Sequence, residues 1–181
     1  MRALFYQPSC GISGDMHIAA MLELGVPLDH IETELARLPL QGQYSLEVSH
    51  GEKQGISGTR VRVATSEQHH HRHHSQIAEM ISASGFAPDI ERRALDIFAR
   101  IAEAEAKIHN VAVEKVHFHE VGAIDSIVDI VAAAIALSFL KVDRVYCNPV
   151  EVGAGFVDCA HGRFPVPAPA TQELLKNVPL T

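Results

Sequence analysis

"HFHEVGAIDSIVDIVAAAIALSFL", residues 117–140, changes its hydrophobic period part-way along, and that change decides the fold class. Residues 115–122 read as extended chain, in which alternate side chains share a face, so His117 and His119 point the same way. From Ala123 onward the apolar residues run almost unbroken to Leu140, which predicts a buried helix. Its most apolar part, 130–140, is about half of what a bilayer span needs. Outward from this stretch the two periods keep recurring. "YSLEVSH" (44–50) and "TRVRVAT" (59–65) alternate as the strands of a hairpin do. Residues 15–25, 27–38, 75–84 and 89–109 read as amphipathic helices, with Met16, Ala19, Ala20 and Leu24 as the inner face of the first. Ile90, Ala94, Ile97, Ile101 and Ile108 form the stripe of the last. Residues 3–7 and 143–157 read as strands, and "PVPAPATQELLKN" as a proline-rich bend before a short helix. Strands and helices alternate without a regular βαβ repeat. The expected fold is a mixed α/β single domain over 1–181, helix-rich with a small sheet.

Composition narrows the functional class. The chain has 181 residues and a formal charge of −7, against a basic nucleic-acid-binding face. Three cysteines (Cys10, Cys147 and Cys159) form neither a disulfide framework nor a CxxC knuckle. A soluble cytoplasmic protein, with no membrane partner, is the expectation. Histidine is the outlier at twelve, five of them within 69–74. That run, inside a flexible loop at about 66–75, offers His69, His70, His71, His73 and His74 to a soft or borderline cation. It reads equally well as a solvated linker.

The chemistry-bearing groups cluster around the opening stretch. His117 and His119 precede a helix on which Asp125 and Asp129, four apart, share a face. Imidazole with carboxylate suits Zn, Ni, Fe or Mn better than Mg or Ca. Glu120 at the junction can serve as a ligand, as a partner to an imidazole, or as a general base. The bland alternative is a satisfied polar network, with Asp125 simply favoured by its helix dipole. Asp129 tilts the balance toward function, because it sits between Val128 and Ile130 on a very apolar helix. Two further segments add substrate-binding candidates. "QPSCGISGDM" follows a strand and opens a helix, placing Ser13 and Asp15 at its start, although no nucleotide fingerprint is present. "DCAHGRFPVPAPAT" brings His161, and Arg163 to meet a carboxylate or phosphate. "GISG" occurs at both 11–14 and 55–58, each ending in a glycine able to adopt positive φ.

"CGISGDM", "AEAEAKIHN", "VHFHEVGAIDSIVDIVAAAIAL" and "CAHGRFPVPAPAT", with the His-rich loop between hairpin and long helix, together resemble the N-terminal part of the LarC family. The likeness runs from residue 2 to about 179. Gln7 and Ser9-Cys10 depart from that family's usual residues. The resemblance implies nickel insertion into a pyridinium mononucleotide bearing two thiocarboxylates, a lyase-class reaction that makes two Ni–S bonds and one Ni–C bond. The product is the nickel-pincer cofactor of lactate racemase, whose apoprotein becomes a partner. It further implies Ni(II) as the metal handled, and CTP with Mg or Mn handled by a C-terminal portion beyond the region matched here. A base must remove the ring proton, and Glu120 or His119 is the expected one. A nickel-storing module that passes metal to a partner is the alternative. Homo-oligomer formation is compatible with either reading.

Overall fold

The computed structural model describes residues 1–65, 72–118, 121–159 and 162–181. Strand β1 (Ala3–Tyr6) leads through a glycine-containing loop to helix α1 (Gly14–Glu23), and α2 (Leu28–Leu35) follows behind Pro27. Next comes the long hairpin of β2 (Tyr44–Lys53) and β3 (Ile56–Thr65). The short β4 (Arg72–His73), α3 (His74–Ala83) and α4 (Pro88–His109) come next, then β5 (His117–Phe118) and α5 (Ile124–Phe139). The order closes with β6 (Arg144–Cys147), β7 (Phe156–Cys159), β8 (Gly162–Pro165) and α6 (Pro169–Leu174). The fold is mixed α/β and helix-rich as expected, but among the described residues its strands form four two-stranded sheets instead of one.

Helix α5 is the hub. Ile127, Val128, Val131, Ala132 and Ile135 are buried, and α1, α2 and α4 pack around it. Burial of such side chains away from water is the main force holding the layers together. On α4 the buried stripe is Ile90, Ala94, Phe98 and Ala102. Ile101 and Ile108, expected in that stripe, line a cavity, with Ile101 also packed against the core. A similar rotation applies to α1, where Ile18, Ala19 and Met21 are buried while Met16 and Leu24 are about half exposed (50% and 54%). The face that α5 and β3 cover is centred on Gly14, Ile18 and Met21, which follow i, i+4, i+7 spacing.

Hairpin β2–β3 pairs in full register from Tyr44–Thr65 to Lys53–Ile56. Its turn is Gln54-Gly55, both at positive φ (54° and 79°), the two-residue geometry whose twist matches the strands. The second "GISG" therefore uses its first glycine for the turn. In the first copy Gly11 likewise has φ 85°. The closing glycines, Gly14 and Gly58, lie in a helix and a strand, where the positive φ they permit is not used.

The expected loop at 66–75 ends earlier. Its residues 66–71 lie outside the described residues, but Arg72 and His73 pair with Phe118 and His117, and His74 begins α3. Strands β1 and β6 run parallel, with Tyr6 opposite Cys147 at their C-terminal ends. Lys107 of α4 holds Glu173 of α6 at 2.7 Å, tying the C-terminal helix over the same end of the molecule.

Candidate functional site

The loops that follow β1 and β6 meet where those parallel strands end, the usual place for a ligand crevice in an open α/β sheet. Gly11 stands against the backbone of Glu151, and both line a cavity of about 850 Å³. This lies within the range of about 300–1,000 Å³ that small-molecule sites occupy. Ile101, Glu105, Ile108 and His109 of α4 form one wall, at i, i+4, i+7, i+8 spacing. The β7–β8 hairpin and the segment running into α6 form another, including Cys159, Phe164 and Ala170. Phe118 and Val121 line it as well, on either side of residues 119 and 120. His119 and Glu120 themselves, like His69, His70, His71 and His161, lie outside the described residues.

Two polar groupings flank this region. The first is made of carboxylates. Asp15 and Asp125 sit in the first turns of α1 and α5, where each accepts a hydrogen bond from the next backbone N–H (Met16 and Ser126, both 2.8 Å). Ser13, at the N-cap of α1, donates its hydroxyl to Asp15. Asp129, one turn on from Asp125, lies flat against Gly14: a methyl group at position 14 would stand 2.1 Å from its Oδ2. Its Oδ1 is buried and has no hydrogen-bond partner among the described residues. Burial first, then the neighbouring charges of Asp15 and Asp125, push the Asp129 carboxyl up to about 7.

The second grouping is imidazole. His73 and His117 are register partners, with their rings edge-on at 4.6 Å. His74 packs its ring at 6.1 Å from Phe118. This corner is locked to α5, because Arg72 donates to the Gly122 carbonyl at 2.8 Å. A side chain at position 122 would meet the Arg72 nitrogen and the Phe118 oxygen, both at 2.9 Å. Glycine alone lets the strand turn into the helix here.

Among the described residues, no three His, Cys, Asp or Glu side chains stand close enough to hold one metal ion. The pair His73–His117 and the group Asp15, Asp125, Asp129 are thus each brought together, without converging on a shared point. Arg163 lies on β8 with its guanidinium 4.7 Å from the Phe156 ring, next in sequence to the cavity residue Phe164.

Two pairs escape a reading of the sequence. Tyr6 and His17 share a hydrogen bond of 2.7 Å beneath the loop. Burial, with a smaller contribution from Cys147, pushes the phenol up to about 12. Burial also lowers the basicity of His17, whose Nδ1 has no partner among the described residues. The other pair is Glu105 with His109, 3.2 Å apart on α4, and its i, i+4 spacing is legible.

Residues 4–181 match the family described as nickel insertion protein. The chain belongs to the nickel insertion protein family. A relative in Geobacter sp. (strain M21), also named for nickel insertion, is 52% identical across the whole of this chain and 47% of its own length. The pyridinium-3,5-bisthiocarboxylic acid mononucleotide nickel insertion protein of Clostridium kluyveri is 48% identical over all of this chain and 48% of its own length. Its namesake in Akkermansia muciniphila is 48% identical over 98% of this chain and 46% of its own. This member of the family therefore spans about half the length of the curated relatives it matches. No solved structure matches. No described helix of this nickel insertion family member is long and apolar enough to cross a membrane.

Proposed function

We propose that this chain brings Ni(II) and a pyridinium bisthiocarboxylate mononucleotide together for nickel insertion, as the metal- and substrate-binding part of a lyase-class reaction. The observation that carries the reading is the 850 Å³ cavity, lined by Phe118 and Val121, in a member of the nickel insertion family. The apolar walls suit a flat heteroaromatic ring. Nickel is cargo here: borderline imidazole donors hold it and then release it to softer sulfur and carbon.

Under this reading His69, His70, His71, His73 and His74 gather nickel, His117 and His119 present it to the ring, and Asp125 and Asp129 offer carboxylates from a separate group. Ser13, Asp15, His161 and Arg163 contact the mononucleotide. Glu120 or His119 is the base read from the sequence. CTP with Mg or Mn, and the lactate racemase apoprotein, belong to steps involving the remaining half of the relatives' length.

The test is a nickel titration of the chain and of His117→Ala/His119→Ala. Loss of the tight equivalent with an unchanged circular dichroism spectrum supports the reading; unchanged nickel affinity contradicts it. The separation of the His73–His117 pair from the carboxylates favours a second reading, a storage module. Deletion of 69–71, stopping short of strand β4, distinguishes them. A store loses most of its nickel capacity, whereas an insertion site keeps one tight equivalent.

A further inference from the structure

Nickel insertion with a Ni–C bond requires a proton acceptor at the ring, and the cavity wall holds one that the sequence reading did not assign. Of the polar side chains lining the cavity, Glu151 accepts from the Gly153 N–H at 2.9 Å, and the Cys159 thiol donates to the Gly162 carbonyl at 3.3 Å. Glu105 and His109 stand 3.2 Å apart across one helical turn, with 24% and 33% of their side chains exposed, and both face the cavity. Their placement follows from the AEAEAKIHN block. Ala102 and Ala106 on one side and Ala104 on the other are buried, and Ile101, Glu105, Ile108 and His109 lie between them toward the cavity.

We propose that Glu105 and His109 form the acid–base pair that takes the ring proton as nickel bonds to carbon, an inference that rests on the function proposed above. Two thiocarboxylates at ring positions 3 and 5 place nickel over the carbon between them. There the C–H bond breaks, and its electron pair becomes the Ni–C bond. The proton passes to the His109 imidazole. Nickel stays divalent, so neither oxidant nor reductant is required. Glu105 orients the imidazole and stabilises the imidazolium that forms, as a carboxylate does for histidine in other acid–base pairs. The last turn of α4, where His109 sits, also favours a cation, because helix carbonyls concentrate negative charge there. The exposed part of the ring gives the proton a route to water.

The experiment follows the resonance of that ring proton by NMR in D₂O. It uses the intact chain with Ni(II) and pyridinium-3,5-bisthiocarboxylic acid mononucleotide, with binding measured separately by calorimetry. The unaltered chain should bind the mononucleotide and abolish the resonance. His109→Ala, compared at saturating mononucleotide, should slow the loss by about 100-fold or more, the usual scale of general-base catalysis. Added imidazole should restore the rate in His109→Ala, which a merely structural role would not allow. His109→Gln provides a second, larger replacement, and Glu105→Gln should slow the loss less. Exchange at the unaltered rate in both His109 variants, or its abolition by Glu120→Gln alone, would overturn the assignment. So would a chain that binds the mononucleotide yet leaves the proton in place. Failure of the unaltered chain to bind the mononucleotide would instead sink the proposed function.

Discussion

Gly14 and Asp129 touch without room for a methyl group between them: a Cβ at position 14 would lie 2.1 Å from Asp129 Oδ2 and 2.5 Å from its Cβ. Because the Cβ is part of the clash, turning the carboxylate away does not relieve it. Glycine at the start of α1 is therefore what allows α1 and α5 to approach with an aspartate between them. Gly14→Ala should cost about 1–3 kcal/mol, the usual price of overpacking, despite alanine's better helix propensity. Gly58 closes the matching GISG, has no neighbour within 4 Å of an added Cβ, and serves as control. Gly58→Ala should stay within about 0.5 kcal/mol. Urea unfolding of the two variants checks the contrast.

Asp129 makes the metal-free fold sensitive to pH in an unusual direction. Its carboxyl is raised from 3.8 to about 7, so between those values the folded chain binds more protons than the unfolded chain. Stability contributed by this group is present at low pH and is lost as pH rises through about 7. Asp129→Asn should remove that loss. In chelator-treated protein the variant should gain on the order of 1 kcal/mol at pH 8 after allowance for solvent screening, with the gain vanishing near pH 4. Melting curves across pH test the sign.

His17 acts in the opposite sense. Burial lowers its basicity, so on acidification below its ordinary value of 6.5 the unfolded chain takes up the proton first and stability falls. Tyr6→Phe removes the 2.7 Å partner of its Nε2 and leaves that nitrogen buried and unpaired. A loss of about 1–3 kcal/mol is expected, measured by denaturant titration at neutral pH. Equal stability of Tyr6→Phe would show that the bond contributes nothing.

Much of the fold was legible because period and punctuation agree. The α5 helix, the hairpin and the proline-opened helices each carry an unambiguous local pattern. What the sequence hid was rotation and partnership. Met16 and Leu24 look like core residues, but the face of α1 is chosen by Gly14 fitting against Asp129, a contact 115 positions away in the chain. Ile101 and Ile108 carry the right period for a core stripe, yet both line a cavity: Ile101 packs partly against the core as well, and Ile108 is exposed. His73 in a histidine-rich run reads as loop, whereas its pairing with His117 is set by a short strand that only tertiary contacts stabilise. At the site, the acidic residues were legible individually. Their grouping with Asp15 was not, since it joins two helix starts far apart in sequence.

The most direct measurement is a calorimetric titration of pyridinium-3,5-bisthiocarboxylic acid mononucleotide into the chain and into Ala170→Trp, which fills the cavity from α6. One bound equivalent in the unaltered chain, lost in the variant while nickel uptake persists, is the predicted result. Binding that ignores the tryptophan, or no binding to either protein, would contradict the claim that this cavity receives the ring.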